Sequence, residues 1–322
     1  MSRTRIPDDV LTAAHDRAQA RAARDWAEAD RLRDEIEAAG WKIADRGTDF
    51  ALTPANPPDL EGGGRVRYGA SGSVPSRLDD APVALVSVVV IAAEHPEDLE
   101  RALGPLRDHA LDGTQVVIVA NDPSPRQAGA LEALEAVDPG GPGVATEIVW
   151  TSARLGHAAA LNAGIRRASA PLVVLIDTSV EPTGDALTPV VAALEDASVA
   201  VAGRWGIVSD DLRRFRDAPP GDVDAIEGYW LAFRRSDYLE RGPLDEAFRF
   251  YRNLDIWWSL VLRDGGDEAP NRRAVALDLP LVRHEHRGYV SVPEAERDRL
   301  SKRNFYRIIG RFGARRDLLT AR

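Results

Sequence analysis

The sequence contains no cysteine among its 322 residues. That absence excludes disulfide bonds, iron–sulfur clusters and zinc sites built on thiolates. Long apolar runs are missing as well. The longest, VALVSVVVIAA at residues 83–93, is too short to span a bilayer as a helix and instead predicts a buried strand. The stretch MSRTRIPDDV has no apolar core, so no signal peptide is expected and a cytoplasmic protein is predicted.

Positively charged residues are also fewer than negatively charged ones. The chain has 41 lysines and arginines against 51 aspartates and glutamates, which gives a formal net charge of −10. Because binding to nucleic-acid phosphates needs clustered positive charge, no strong nucleic-acid binding is expected. A hydrophobic content of 44% with 29% charged residues is typical of a globular protein. The length suits one large domain accompanied by a small one.

The amino-terminal region, residues 1–53, is predicted to form a small module of two helices and a β-hairpin. Helical spacing is carried by Trp26, Ala29, Leu32, Arg33 and Ile36. Gly40 is a favourable stop, and Asp25 is a candidate start for the second helix after a turn at Arg24. WKIADRGTDFAL then predicts a hairpin that turns around Arg46-Gly47.

Residues 54–82 are crowded with Pro, Gly and Ser, and predict a mobile linker. Residues 83–322 then alternate between strand-like and helix-like segments. The strand-like segments include VALVSVVVIAA, TQVVIVAND, TEIVWTSA, PLVVLID and VAVAGRWGIV. Such alternation predicts an α/β domain with a mostly parallel sheet and helices on both faces.

The stretch LVVLIDTSVEP, residues 172–182, ends an apolar run in Asp177. The carboxyl ends of strands are where open α/β sheets bind ligands. Asp177 is therefore a candidate ligand of a metal ion or a nucleotide. The alternative is an aspartate that only caps the turn after the strand.

Several segments, in this order, resemble glycosyltransferase family 2, which has the Rossmann-like GT-A fold. They are VSVVVIAAEHPEDLERALGPL, VVIVANDPSP, LGHAAALNAGIRRASAPLVVLIDTSVEP, EGYWLAFRRSDYLERGPLDEAFRFYRNLDIWWSLVLRDGG, VRHEH and SKRNFYRIIGRF. The resemblance covers about residues 84–313. It implies a nucleotide-sugar donor and a carbohydrate or glycan-carrier acceptor.

For the donor, the resemblance implies a Mg²⁺ or Mn²⁺ ion held by an Asp-x-Asp motif. Here the motif is Asp177-Thr178-Ser179, so its second carboxylate is missing. In the segment VRHEH, either His284 or His286 is a candidate metal ligand or phosphate contact, and His286 is favoured. A structural histidine is the alternative.

The nucleotide is expected to cross three further turns of the same fold. The residues that the resemblance places there are Ala92, Ala93, Glu94, Asn121, Asp122, Gly156 and Asn162. Asn121 could instead begin an Asx-turn, and Asn162 could satisfy nearby backbone groups.

For the acceptor, the resemblance implies a general base in a Glu-Asp-x-Asp pattern. Here the pattern is Arg252-Asn253-Leu254-Asp255, in which Asn253 cannot accept a proton. Asp255 is therefore the candidate base, with a helix N-cap as the alternative. Tyr229 and Trp230 are candidates for stacking on a sugar or base.

These features favour an inverting glycosyltransferase with a degenerate Asp-x-Asp motif. A non-catalytic binding or scaffolding protein of the same fold is the alternative. Residues 8–52 also resemble the carboxy-terminal module of cysteinyl-tRNA synthetases, so RNA association is a weaker third possibility. The basic tail, which contains Phe305, Tyr306 and Phe312, predicts an amphipathic helix that docks on the domain through its aromatic residues. The alternatives are contact with a diphosphate, with an anionic partner or, peripherally, with the anionic lipids of a membrane surface.

Overall fold

The structure is a computed structural model, and it describes residues 6–46, 49–137, 144–266 and 269–320. The chain divides into two units, Met1–Arg65 and Val66–Arg322. The elements of the first unit are α1 (Asp8–Ala22), α2 (Trp26–Ala38), β1 (Trp41–Arg46), β2 (Asp49–Pro54) and β3 (Leu60–Gly62). The predicted helix pair with a β-hairpin is confirmed.

The first unit has its own core, in which Val10, Ala14, Leu32, Ile36 and Trp41 are buried together. The two helices are separated by a tight turn that requires a positive φ of 60° at Arg24. The Asp25 side chain then accepts a hydrogen bond from the Glu28 amide at 3.1 Å, so α2 begins where predicted. Gly47, in the predicted hairpin turn, lies outside the described residues.

The second unit contains the remaining strands and helices. Its strands are β4 (Arg65–Tyr68, beginning at the boundary), β5 (Val86–Ala92), β6 (Thr114–Ala120), β7 (Val144–Thr151), β8 (Leu172–Ile176), β9 (Val180–Pro182), β10 (Val199–Gly203), β11 (Gly206–Ser209), β12 (Phe215–Ala218), β13 (Gly221–Val223), β14 (Ala225–Ile226), β15 (Trp230–Arg234), β16 (Arg273–Ala276) and β17 (Leu281–Arg283). Its helices are α3 (Pro96–Asp108), α4 (Pro125–Val137), α5 (His157–Ile165), α6 (Thr188–Glu195), α7 (Arg235–Arg241), α8 (Leu254–Arg263), α9 (Arg287–Val290) and α10 (Glu294–Phe312).

The main sheet of this unit runs in the order β13-β16-β10-β15-β8-β5-β6-β7-β4. Strands β8, β5, β6 and β7 are parallel neighbours, while β15 is antiparallel to both β8 and β10. A smaller sheet has the order β12-β11-β14, and β17 pairs with β9. The predicted α/β fold with a mostly parallel sheet is therefore confirmed.

Both faces of the central strands are buried, as the continuous apolar runs predicted. Along β5, Val88 and Val90 pack in the core that contains Leu99 of α3, whereas Val89 packs in the core that contains α5. Alternate side chains of a strand point to opposite faces, so one run of valines supplies both cores. Gly164 of α5 leaves no room for a Cβ atom against Val89, which lets the helix approach the sheet closely.

Two sequence predictions are wrong in this unit. The segment 66–82 is not a mobile linker, because β4 pairs with β7 and the side chains of Val74 and Leu78 are buried in the core. The Arg166 side chain holds this segment by donating to the Val74 carbonyl at 2.7 Å. The segment VAVAGRWGIV is not one strand either, since β10 and β11 belong to different sheets.

The basic tail forms α10 and docks through Asn304, Ile308 and Phe312, which are buried at a spacing of one helical turn. Asn304 donates to the carbonyls of Phe250 and Arg252, both at 2.8 Å. The helix therefore fixes the loop that precedes α8. Among the described residues, no helix has both the length and the apolar character needed to cross a membrane.

Candidate active site

A cavity of about 370 Å³ opens at the carboxyl end of β8. Asp177, His286 and Tyr251 line one part of it, and Glu227, Tyr229 and Asp255 line another. Open α/β sheets bind their ligands at this edge. The polar groups form two clusters, which we call the aspartate–histidine cluster (Asp177, Ser179, His286, Tyr251) and the paired-carboxylate cluster (Glu227, Asp255, Arg283).

Asp177 follows β8 directly, and its backbone N–H donates to the Tyr229 carbonyl at 3.1 Å. Its Oδ1 accepts two hydrogen bonds from Ser179, from the amide at 2.8 Å and from the hydroxyl at 2.5 Å. Its Oδ2 faces Nε2 of His286 at 3.2 Å. Burial alone would raise the pKa of Asp177, but these contacts with His286 and Ser179 outweigh it and hold the pKa below its usual value.

His286 caps α9, where its Nδ1 accepts a hydrogen bond from the Tyr289 amide at 3.0 Å. Since Nδ1 accepts, the proton of a neutral ring lies on Nε2, the atom that faces Asp177. The ring also stacks on Tyr251, with 4.7 Å between centroids and 15° between planes. Burial lowers the pKa of His286, and the bond to Asp177 more than reverses that, so the pKa is raised overall.

His157 begins α5 on the other side of Tyr251, with 6.0 Å between the ring centroids. Burial lowers the pKa of His157 to about 4, and the Asp177 carboxylate only partly offsets this effect. His157 is therefore a neutral group at physiological pH. It brings no positive charge to the cavity.

Asp177 would hold a divalent cation through Oδ2, with substrate oxygens and water as further ligands. His286 would join it only with its proton on Nδ1, a tautomer that breaks the hydrogen bond from the Tyr289 amide. Within the part of the chain that the structure describes, no third histidine or carboxylate joins them to form a metal cluster. Mg²⁺ and Mn²⁺ sites commonly use one or two protein ligands together with substrate oxygens. Ser179 supplies no carboxylate, so Asp177 is the one acidic ligand left from the Asp-x-Asp motif.

Glu227 lies between β14 and β15 and was not among the residues predicted from the sequence. Its Oε2 accepts a hydrogen bond from Arg283 at 3.2 Å. Burial, followed by the nearby Asp255 carboxylate, raises the pKa of Glu227 to about 7, although Arg283 pulls in the other direction. Glu227 is therefore a carboxylate close to half-protonation at neutral pH.

Asp255 lies in the first turn of α8, and both of its oxygens have backbone partners. Oδ2 accepts from the Gly228 amide at 2.9 Å, and Oδ1 accepts from the Ile256 amide at 2.9 Å. A Cβ atom on Gly228 would lie 3.3 Å from Cβ of Asp255, which explains the glycine. Burial raises the pKa of Asp255 more than these two amides lower it. Asp255 therefore ties the start of α8 to the turn that carries Glu227.

Arg283 is held beside the carboxylates by aromatic rings. Its guanidinium lies 4.9 Å from the Tyr229 centroid and 5.5 Å from the Trp205 centroid. The two rings themselves meet edge to face at 5.7 Å. Tyr229 and Arg283 thus flank Glu227 with an apolar face and a cation.

Two predicted nucleotide contacts are occupied by the protein itself. The Asn121 amide group exchanges two hydrogen bonds with the backbone of Leu155, at 2.8 and 3.1 Å. Asn162 is 2% exposed, and its amide bonds Leu244, Glu246 and Tyr238. Asn162 satisfies groups of its surroundings, as its alternative predicted, whereas the Asn121 side chain bonds Leu155, 34 residues away, and does not form the Asx-turn.

Gly156 marks a close approach of two chain segments. A Cβ atom at Gly156 would lie 3.0 Å from Cα of Arg249, and the amides of His157 and Ala158 donate to the carbonyls of Arg249 and Phe248. The first amides of α5 are therefore used within the protein. They are not open to a phosphate.

The remaining predicted residues are divided between the surface and the core. Ala92 is buried, Ala93 is partly buried, and Glu94 is exposed and paired with Arg154 at 2.8 Å. Asp122 is exposed with a φ of 50°. Trp230 is fully buried and does not line the cavity, because strand alternation turns it away from the side that Tyr229 faces.

Glu227 was not predicted from the sequence, because the family pattern places no carboxylate at this position. One signal was available. Glu227 directly precedes the Gly-Tyr-Trp stretch that was assigned to the acceptor. The contribution of Arg283 had no such signal, because it depends on the pairing of β17 with β9.

A family model described as "Glycosyl transferase family 2" matches residues 87–252. The "Cysteine--tRNA ligase" of Opitutus terrae is 46% identical over 50 residues, which are 16% of this chain and 11% of that protein. The chain therefore spans only about a tenth of the length of the curated relative it matches.

Two solved structures are similar to this chain over most of its length. GalNAc-T7 with UDP, GalNAc and Mn²⁺ has a TM-score of 0.55 at 14% identity, covering 72% of this chain and 48% of that chain. The mannosyltransferase PcManGT from Pyrobaculum calidifontis, in complex with GDP-Man and Mn²⁺, has a TM-score of 0.47 at 20% identity, covering 64% of this chain and 57% of that chain. At 14% identity, the likeness to GalNAc-T7 shows the fold.

Proposed function

The chain belongs to glycosyl transferase family 2, and from that membership we propose that it transfers a sugar from a nucleotide-sugar donor to an acceptor hydroxyl with inversion. The observation that supports this most directly is one cavity lined both by Asp177 with His286 and by Glu227 with Asp255. The first pair suits a leaving diphosphate, and the second suits the proton of an acceptor.

On the donor side, Asp177 would hold a Mg²⁺ or Mn²⁺ ion, and His286 would join it once its proton moves from Nε2 to Nδ1. Such an ion, when bound, supplies positive charge to the departing diphosphate. The UDP and Mn²⁺ bound to GalNAc-T7, which shares the fold, support this assignment. Ser179 bonds Oδ1 of Asp177, so Oδ2, which His286 contacts at 3.2 Å, is the oxygen that would bind the ion.

On the acceptor side, the attacking hydroxyl must lose a proton as it attacks the anomeric carbon. Asp255 is the carboxylate expected from the sequence, and Glu227 is the one that the structure adds. Tyr229 offers an aromatic face beside them for a sugar ring. A carbohydrate or a glycan-carrying molecule is the class of acceptor that fits these groups.

The donor half of the proposal is tested by thermal shift and calorimetry with a panel of UDP- and GDP-sugars, with and without Mn²⁺. We expect at least one donor to raise the melting temperature, and Mn²⁺ to strengthen the effect. Binding to a protein's folded state stabilises it by mass action, so the shift reports affinity. A wild-type protein that binds none of these nucleotides would contradict the proposal.

A non-catalytic role is the second candidate, and two substitutions favour it. Ser179 replaces the second carboxylate of the Asp-x-Asp motif, and Asn253 replaces the expected base. Donor binding with no turnover under any condition would support this reading.

A further inference from the structure

We infer that Glu227 is the group that takes the acceptor proton, and that Asp255 is a positioning residue that holds the Glu227 turn in place. This inference rests on the proposed transfer reaction. It moves the base from Asp255, in the first turn of α8, to the turn between β14 and β15. It also gives a role to a carboxylate that the family pattern does not mark.

The first reason is that the backbone around Glu227 is fixed on both sides. Its own amide donates to the Trp205 carbonyl at 2.8 Å. The next amide, of Gly228, donates to Oδ2 of Asp255 at 2.9 Å. A side chain that starts from a turn held in this way is presented to the cavity from a defined position, as a base requires.

The second reason is that the competing groups are already engaged. Each oxygen of Asp255 accepts a backbone N–H, and those bonds must weaken if the carboxylate takes a proton. The amide nitrogen of Asn253 donates to the Ser301 carbonyl at 3.0 Å, and an amide is no base. Within the described residues, Oε1 of Glu227 accepts no hydrogen bond.

The third reason is electrostatic and supports the geometry. Charged and titratable groups reach Glu227 from several elements: Asp255 from α8, Asp217 from β12, Arg283 from β17 and Arg252 from the loop before α8. Burial, Asp255 and Asp217 raise the pKa of Glu227 while the two arginines lower it, and the net value is about 7. A general base acts best when its pKa lies near the working pH.

The acceptor oxygen forms a bond to the anomeric carbon, and the bond from that carbon to the diphosphate oxygen breaks. The acceptor proton passes to Oε1 of Glu227, and the electron pair of the broken bond leaves on the diphosphate. Arg283, on Oε2, stays in place through the transfer.

Water can replace the acceptor, which allows a test without knowing the natural acceptor. UDP-GlcNAc, UDP-GalNAc and GDP-mannose are incubated with Mn²⁺, and the release of UDP or GDP is followed from pH 5 to 9. Nucleotide binding is measured in parallel by calorimetry. We expect a rising limb with an apparent pKa near 7, which disappears in Glu227→Gln together with about 10²-fold of the rate. Nucleotide affinity should stay within about twofold.

Glu147→Gln is the matched control. Glu147 is 27% exposed and bonded to Arg167 at 2.5 Å, much as Glu227 is 25% exposed and bonded to Arg283, but it lies on β7 outside the cavity. We expect this variant to keep the wild-type rate and pH profile. If Glu227→Gln and Glu147→Gln lost the same fraction of the rate, the role of Glu227 would be structural, and the inference would be overturned.

Asp255→Asn separates positioning from catalysis. Removal of the neighbouring negative charge lowers the pKa of Glu227, so the rising limb should move to lower pH. Asparagine keeps an oxygen for only one of the two backbone amides, so turnover should also fall, but by less than in Glu227→Gln. Loss of the limb in Asp255→Asn with retention in Glu227→Gln would identify Asp255 as the base.

Two further outcomes separate this inference from the proposed function. A wild-type protein that binds no nucleotide overturns both. Nucleotide binding without donor turnover at any pH leaves the donor site standing and overturns the assignment of Glu227.

Discussion

The two clusters that line the cavity treat their carboxylates in opposite ways. Asp177 has a pKa held below its usual value, because His286 and Ser179 donate to it. Glu227 has a pKa raised to about 7, because burial and Asp255 disfavour its charge. The carboxyl chemistry is the same, and only the partners differ.

This difference assigns a task to each cluster. A carboxylate that stays ionised can hold a cation through the whole reaction, whereas one near half-protonation can accept and return a proton. A pair of acids whose environments push their pKa values apart is the usual arrangement of an active site that needs both functions. The variants described next either disrupt one of the two clusters or widen the difference between the pKa values of Asp177 and Glu227.

The largest effect is expected from Asp177→Asn, which removes the ionised carboxylate but keeps the side-chain shape. We expect Mn²⁺-dependent nucleotide affinity to fall by at least about tenfold and turnover by about 10²-fold, because the diphosphate loses its cation. Calorimetry with UDP and GDP, each with Mn²⁺, measures the first change. Glu181→Gln is the control, since Glu181 pairs with His284 and does not line the cavity. Unchanged affinity in Asp177→Asn would remove the aspartate–histidine cluster from the donor site.

A smaller and more selective effect is expected from Gly228→Ala. The added Cβ would lie 3.3 Å from Cβ of Asp255, so the hydrogen bond between the Gly228 amide and Asp255 must shift. We expect turnover to fall by about tenfold while Mn²⁺-dependent nucleotide binding is unchanged, because only the paired-carboxylate cluster moves. Kinetics measure turnover and calorimetry measures nucleotide binding, both on the same preparation.

Gly129→Ala is the control for this variant, since a Cβ at Gly129 meets nothing within 4 Å. It should be neutral or slightly stabilising in the middle of α4. A fall in nucleotide affinity in Gly228→Ala would mean that the two clusters are not independent.

The parts of the site that the sequence could predict are those fixed by a single strand end. An apolar run ends at Asp177, and because parallel strands bring their carboxyl ends to one edge, the sequence predicts its place at the cavity, which it lines. The sheet and the amino-terminal module followed from alternation and helical spacing in the same way. Each of these is a local pattern.

The parts that the sequence could not predict depend on partners far away in the chain. The pKa of Glu227 depends on Asp255 and Arg283, which only the fold brings close. Asn121 and Asn162 occupy the positions that the family pattern marks, but their side-chain amides are already hydrogen-bonded to Leu155 and Leu244. A motif position gives the residue type, and the tertiary contacts decide whether its polar atoms are free.

Arg283→Gln should widen the difference between the two clusters, because it makes Glu227 harder to ionise. Arg283 lowers the pKa of Glu227, so its removal raises that pKa further. A base is active when deprotonated, and the rising limb of the rate profile should therefore move to higher pH. Because Arg283 is 42% exposed and its charge is screened, we expect a move of up to about one pH unit, with a rate at pH 7 several-fold lower.

The control is Arg299→Gln, in an exposed pair with Glu296 on α10, which should leave the profile unchanged. A limb that moves to lower pH in Arg283→Gln would contradict the sign of the interaction. Nucleotide binding at pH 7 should change by less than about twofold, since the aspartate–histidine cluster is untouched.

The smallest effect is expected from deleting residues 1–58. The core of the first unit consists of residues between Ile6 and Leu52, and both clusters lie in the second unit. The truncated chain keeps β4, which begins at Arg65, and the buried Val74 and Leu78. We therefore expect one cooperative transition, with a melting temperature within about 2–4 °C of the second unit's transition in the full chain. Donor binding and the rate profile should be unchanged.

A longer deletion, of residues 1–82, tests whether the boundary lies where the packing places it. It removes β4 together with Val74 and Leu78, which are 1% and 6% exposed in the core of the second unit. It also leaves the Arg166 side chain without the Val74 carbonyl that it bonds at 2.7 Å. Loss of two buried aliphatic side chains should cost several kcal/mol, because each such loss typically costs about 2–5 kcal/mol. Equal melting temperatures for the two truncations would mean that the packing of Val74 and Leu78 adds no stability to the second unit. A large drop for the longer deletion alone would show that a Pro- and Gly-rich segment can be part of a core when its few apolar side chains are buried.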